Sequence, residues 1–106
     1  MSERVKAEYD VRITVLKRVK TGEILSEYGA SMVEAECPAM KEGATYVSKA
    51  GRIPEGFCGW AWADIQRDIT VLAFGGNFPW IKKSGTMISC CTDGLRPVIF
   101  KLERVL

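Results

Sequence analysis

Gly59-Trp60-Ala61-Trp62-Ala63-Asp64-Ile65-Gln66-Arg67-Asp68-Ile69-Thr70-Val71-Leu72-Ala73-Phe74 is the stretch on which the fold turns. At helical spacing Ala61, Trp62, Ile65, Ile69, Leu72 and Ala73 share one face, and Gly75-Gly76 follows as a stop. The pattern predicts the main helix over 59–74. Its far side carries Trp60, Val71 and Phe74 beside Asp64 and Arg67. A helix this apolar on its outer side is expected to be covered twice or to contribute to an interface.

Upstream, residues 49–56 contain two glycines and Pro54 and read as a loop, preceded by a short strand at 44–48 and a turn at Lys41-Glu42-Gly43. Cys37-Pro38 marks a break, because proline holds the residue before it extended. Residues 30–36 show no pattern. A short helix is predicted over 22–28, capped by Thr21 and ended by Gly29 in the left-handed conformation. Residues 5–15 place Val5, Ala7, Tyr9, Val11, Ile13 and Val15 at alternate positions, the period of a half-buried strand.

Downstream, Asn77-Phe78-Pro79-Trp80 is an aromatic loop. Residues 86–91 and 97–105 read as strands joined at Thr92-Asp93-Gly94, where Asp-Gly suits a tight hairpin turn. The order strand, helix, strand, helix, strand, strand predicts an α+β fold. Its mainly antiparallel sheet of about four strands carries the long helix on one face, with the first strand near the last.

At 106 residues and 47% hydrophobic, the chain is expected to form one domain with one core. Fifteen basic against thirteen acidic residues, with no basic run longer than a pair, give no nucleic-acid signature. The charged opening lacks a secretory h-region and no apolar stretch is long enough to span a bilayer, so a cytoplasmic protein without membrane attachment is expected. In that reducing setting the four cysteines are free thiols or metal ligands rather than disulfides. The sequence has no histidine, which excludes Cys-His dyads, Ser-His-Asp triads and histidine metal sites.

Three segments stand out: Cys37-Pro38, Gly56-Phe57-Cys58-Gly59-Trp60-Ala61-Trp62-Ala63-Asp64, and Cys90-Cys91-Thr92-Asp93-Gly94-Leu95-Arg96-Pro97, of which the two longer are specific motifs. With them most of the chain resembles a family of small prokaryotic proteins known only as an uncharacterised repeat family. This sequence holds one copy of a unit that some relatives carry twice. The resemblance implies a shared fold and brings no activity with it.

Taken singly, each cysteine is most simply a small buried apolar group. Together, Cys37, Cys58, Cys90 and Cys91 are candidate ligands for zinc or an iron-sulfur cluster, although the usual Cys-x-x-Cys pair is missing. Adjacent strand residues face opposite ways, so only one of Cys90 and Cys91 should reach a common site. Cys58, at the helix start, is the one thiol with an activating environment, and Asp64 is the nearest acid or base in sequence. Asp93 and Arg96 read either as a capped turn with an ion pair or as part of a polar site. There Arg96 would offer a fork to a carboxylate or phosphate, and Trp60 or Trp80 a stacking surface.

These residues point to a small non-enzymatic domain that binds a ligand, metal or protein partner. The candidate site is Cys58, Trp60, Asp64, Cys90, Cys91, Asp93 and Arg96. A thiol-dependent redox or transfer enzyme using Cys58 with Cys90 or Cys91 is the alternative. Self-association into a homodimer through Phe78, Trp80 and the Trp60 side of the helix is also expected.

Overall fold

The computed structural model describes residues 8–106. In chain order the elements are β1 Asp10–Arg18, α1 Glu23–Tyr28, β2 Thr45–Ser48, α2 Gly59–Ala73, β3 Thr86–Cys90 and β4 Val98–Val105. The four strands form one antiparallel sheet in the order β2-β1-β4-β3, and α2 lies across one face. The fold is α+β, with the first strand beside the last. Among the described residues no helix is long and apolar enough to cross a membrane.

The core is the α2 side of the sheet. Val11, Ile13 and Val15 of β1 and Val98, Phe100 and Leu102 of β4 meet Ala61, Ile65, Ile69 and Leu72 of α2, all buried. Each branched side chain removed from water there contributes roughly 1.5–3 kcal/mol, before the entropy of ordering is charged against it. One position on this face is unexpected: Asp68 is buried with the apolar residues, and its ion pair is with the exposed Arg67 beside it (Nε to Oδ1 3.7 Å). Trp60 and Phe74 project from the other side of α2 and stay exposed, so among the described residues α2 is covered on one side only.

The alternation expected over 5–15 is seen from Val11 to Val15, while Val5 and Ala7 lie outside the described residues. The strand also runs three residues further, through a bulge: Val15 pairs with Phe100 and Lys17 with Ile99, leaving Leu16 unopposed. One extra residue exchanges the two faces of a strand. Arg18, opposite the buried Val98, is thereby delivered to the covered face.

α2 ends as its glycines imply. Gly75 takes φ 88°, its N–H donates to the Leu72 carbonyl (3.1 Å) and Gly76 N–H donates to that of Val71 (2.8 Å). This is a Schellman closure. Arg104 completes it from β4, donating through Nη1 to the carbonyls of Leu72 (3.0 Å) and Gly76 (2.7 Å) and through Nη2 to Asn77 Oδ1 (2.9 Å).

α1 departs from expectation at both ends. Thr21 does not cap it, because its hydroxyl donates to the Leu95 carbonyl (2.9 Å) and Gly22 occupies the cap position. Gly29 is extended (φ −77°, ψ 140°) rather than left-handed, its N–H donating to Leu25 O. The helix buries no residue and is the least anchored element.

Candidate functional site

A cavity of about 530 Å³ opens where three segments distant in sequence meet: 37–40, the first turns of α2, and the β3–β4 connection. Cys37, Met40, Cys58, Ala61, Cys91 and Val98 supply apolar wall, while Asp64, Thr92, Asp93 and Arg96 supply polar groups. Trp60 also lines it and is 88% exposed, so it stands at the rim.

α2 is aimed by its own first turn. Gly56 takes φ 77°, turning the chain so that Phe57 enters the core against Phe100 (ring centroids 5.6 Å), Tyr46 (5.0 Å) and Trp62 (6.3 Å). Cys58 follows as the extended residue before the helix, its carbonyl accepting from Trp62 N–H (2.9 Å). No side chain caps this end and its first turn has no acidic residue. The leading amides of a helix are unpaired within it, so this wall presents donors and the positive end of the dipole.

The wall at 37–40 is held by Arg18. Its Nη1 donates to the Cys37 carbonyl (3.3 Å) and its Nη2 pairs with Glu36 (3.4 Å), which the β1 bulge makes possible by turning Arg18 inward. Nothing in the sequence pattern signals this role.

The third wall differs from the tight Asp-Gly turn anticipated. β3 stops at Cys90, Cys91 N–H donates to the Val98 carbonyl (3.0 Å), and residues 92–97 form an open loop in which Gly94 does not adopt positive φ. The loop is organised by carboxylates. Asp93 Oδ1 accepts from the N–H groups of Leu95 (3.0 Å) and Arg96 (3.3 Å), the side-chain closure by which Asp replaces a backbone turn. Asp64 reaches across from α2, its Oδ2 accepting from Thr92 N–H (2.8 Å) and both oxygens meeting the Thr92 hydroxyl (3.1 and 3.0 Å).

Of the sequence-derived candidates, Cys37, Cys58, Trp60, Asp64, Cys91, Asp93 and Arg96 line this cavity, whereas Cys90 and the alternative stacking residue Trp80 do not. Cys90 pairs with Ile99 on the open face of the sheet, one residue out of phase with Ser89, which pairs with the buried Phe100. Cys91, the next residue on the cavity side, is buried. Among the described residues no three acidic or cysteine side chains are grouped to hold a metal ion. The proposed set of Cys37, Cys58, Cys90 and Cys91 therefore does not fit zinc or an iron-sulfur cluster, each of which needs three or four convergent donors. Ala39, Met40, Thr92 and Val98 also line the cavity and carry no site signal in the sequence. Thr92 sits inside the Cys-Cys-Thr-Asp-Gly motif, whereas Met40 stands alone in a segment without periodicity.

Burial pushes the Cys91 thiol up, and the neighbouring Cys37 and Asp93 add to the rise. The backbone amides of Asp93 and Val98 oppose it, the latter donating to the sulfur at 3.3 Å. A raised native pKa favours the neutral thiol. Its contribution to stability is whole below the ordinary thiol value of about 8.5 and is lost as pH climbs through the higher native value. Timed alkylation by iodoacetamide at pH 8 with peptide mapping should therefore label exposed Cys90 first and Cys91 last. Early labelling of Cys91 would show that the cavity wall opens readily.

No known family model, characterised protein or solved structure matches this chain.

Proposed function

We propose that this chain is a small non-enzymatic binding domain that takes a small organic ligand into the cavity between α2, residues 37–40 and the 91–98 loop. The cavity itself carries the reading. It combines an apolar wall with a few fixed polar groups, and its size falls within the roughly 300–1,000 Å³ of small-molecule sites. The alternative, a thiol enzyme using Cys58 with Cys90 or Cys91, has less support. Cys90 is outside the cavity, Cys91 is held as a neutral thiol, and Asp64 is committed to Thr92.

The test is a titration with the neutral apolar probe 2-naphthalenemethanol, followed by ¹⁵N NMR. Amide shifts should centre on Cys58, Ala61, Thr92 and Val98. Ala39→Trp, which fills the cavity from an exposed lining position, should weaken them without disturbing the remaining spectrum. Shifts centred instead on Trp80, or unchanged by Ala39→Trp, would refute the reading. Self-association through Phe78, Trp80 and the Trp60 side of α2 is a separate proposal, supported by the 69% exposure of Trp80 and 88% of Trp60. A monomer mass in sedimentation at tens of micromolar would set it aside.

A further inference from the structure

The polar groups around the cavity are not equally committed. Asp64 already accepts from the Thr92 amide and hydroxyl, and Asp93 Oδ1 from two backbone amides. Arg96 is the reverse case. Its side chain is 26% exposed, its Nε is buried with no hydrogen bond, and its closest acceptor is Asp93 Oδ2 at 3.5 Å. Among the described residues the guanidinium has no other polar partner, so both of its NH₂ groups remain to be used. The uncapped first turn of α2 adds amide donors to the same space.

We propose that the occupant is a monoanionic carboxylate on a flat apolar body, its carboxylate held by the Arg96 fork and its body laid between the Met40, Cys91 and Val98 wall and the Trp60 ring. The assignment rests on the reading of the cavity as a ligand site, and hydrogen-bond supply decides it. The groups with unspent capacity are mainly donors, and the two NH₂ groups of Arg96, which the Asp93 ion pair at Nε leaves unused, offer a planar carboxylate two parallel charge-assisted bonds.

Formal charge alone would argue otherwise, since two carboxylates and one guanidinium line the space and Trp60 could face a cation. The carboxylates are the satisfied members, however, and a cation would leave Arg96 facing like charge. The same two carboxylates select against a phosphate monoester, whose second negative charge would meet Asp64 and Asp93 with a single cation to offset it. An aromatic monocarboxylate fits donors, walls and rim together.

Four probes of one shape separate these chemistries by calorimetry at pH 7: 2-naphthoate, 2-naphthyl phosphate, 2-naphthalenemethanol and 2-naphthylmethylammonium. The naphthoate should bind about tenfold or more tighter than the alcohol, as two charge-assisted hydrogen bonds allow, with the phosphate and the ammonium below the naphthoate. Arg96→Gln should bring naphthoate down to the level of the alcohol and leave the alcohol unchanged. Arg96→Lys, which keeps the charge without the fork, should fall between. The carboxylate assignment is overturned if the ammonium or phosphate binds tightest, if naphthoate and alcohol bind alike, or if Arg96→Gln leaves the preference intact. Should Arg96→Gln not fold, the ranking on the unaltered chain decides alone. Alcohol binding at the cavity without preference for the acid sinks the carboxylate only; failure of every probe to move the Cys58, Thr92 and Val98 amides sinks the ligand site as well.

Discussion

Phe57→Ala is expected to cost about 3–5 kcal/mol, a large part of the roughly 5–15 kcal/mol that holds a domain of this size together. The ring is buried, and three aromatic neighbours surround it: Tyr46 from β2, Phe100 from β4 and Trp62 from α2. Removing it leaves a void that no single neighbour can fill, because each is anchored in a different element. Phe57 also immediately precedes Cys58, so its loss frees the start of α2 and with it one wall of the cavity. Urea unfolding should show the midpoint falling sharply. Phe57→Leu, which retains much of the volume, should lose far less. A loss below about 1 kcal/mol for the alanine variant would mean that the aromatic cluster does not anchor the helix.

Arg104→Ala should be the costliest change to a charged residue, at about 2–4 kcal/mol. The guanidinium satisfies the Leu72 and Gly76 carbonyls and Asn77 Oδ1 at once, where α2 ends and its dipole is negative. Asn77 Oδ1 in turn accepts from Gly85 N–H (2.7 Å) and the Ser84 hydroxyl (3.0 Å), so the whole 75–85 loop depends on this arrangement. Lysine cannot replace the fork. Arg104→Lys should recover the dipole interaction but not the several directed bonds, leaving most of the loss in place. Equal stability of the lysine variant and the unaltered chain in thermal unfolding would show that charge alone acts here.

What could be read in the residues depended on how local the cause was. The helix over 59–74 and its glycine stop were legible because periodicity and a Schellman closure are written in adjacent residues. In the strand that begins the sheet the alternation stops at Val15, because the bulge at Leu16 breaks it, and only the pairing with β4 shows that the strand continues. The connection after Cys91 departs from the sequence expectation for a related reason. Asp-Gly suits a tight turn in isolation, but Asp93 spends its carboxylate on Leu95 and Arg96, and Thr92 is drawn to Asp64 on a different element. Asp68, buried in the helix face, was invisible for the opposite reason, since a carboxylate there contradicts the pattern around it. Within the site, cysteine, tryptophan and arginine were nameable by their chemistry, whereas Met40 and the inward turn of Arg18 arise only from the assembled sheet.

The position of β1 sets a constraint on how the chain reaches this state during synthesis. It lies inside the sheet between β2 and β4, Asp10 opposite Val105 and Val11 opposite Arg104. When the ribosome has made residues 10–48, β1 can find only the four-residue β2, and Val11, Ile13 and Val15 have neither α2 nor β4 to cover them. Their full burial waits for residues 98–105, so the nascent chain carries an incompletely covered apolar strand until those residues are made. Pairings between residues so far apart also make closure of the sheet slow relative to formation of its helices. The interval in which this protein is most exposed to aggregation or to chaperone capture is therefore set by the elongation rate, and ends only when the last strand emerges.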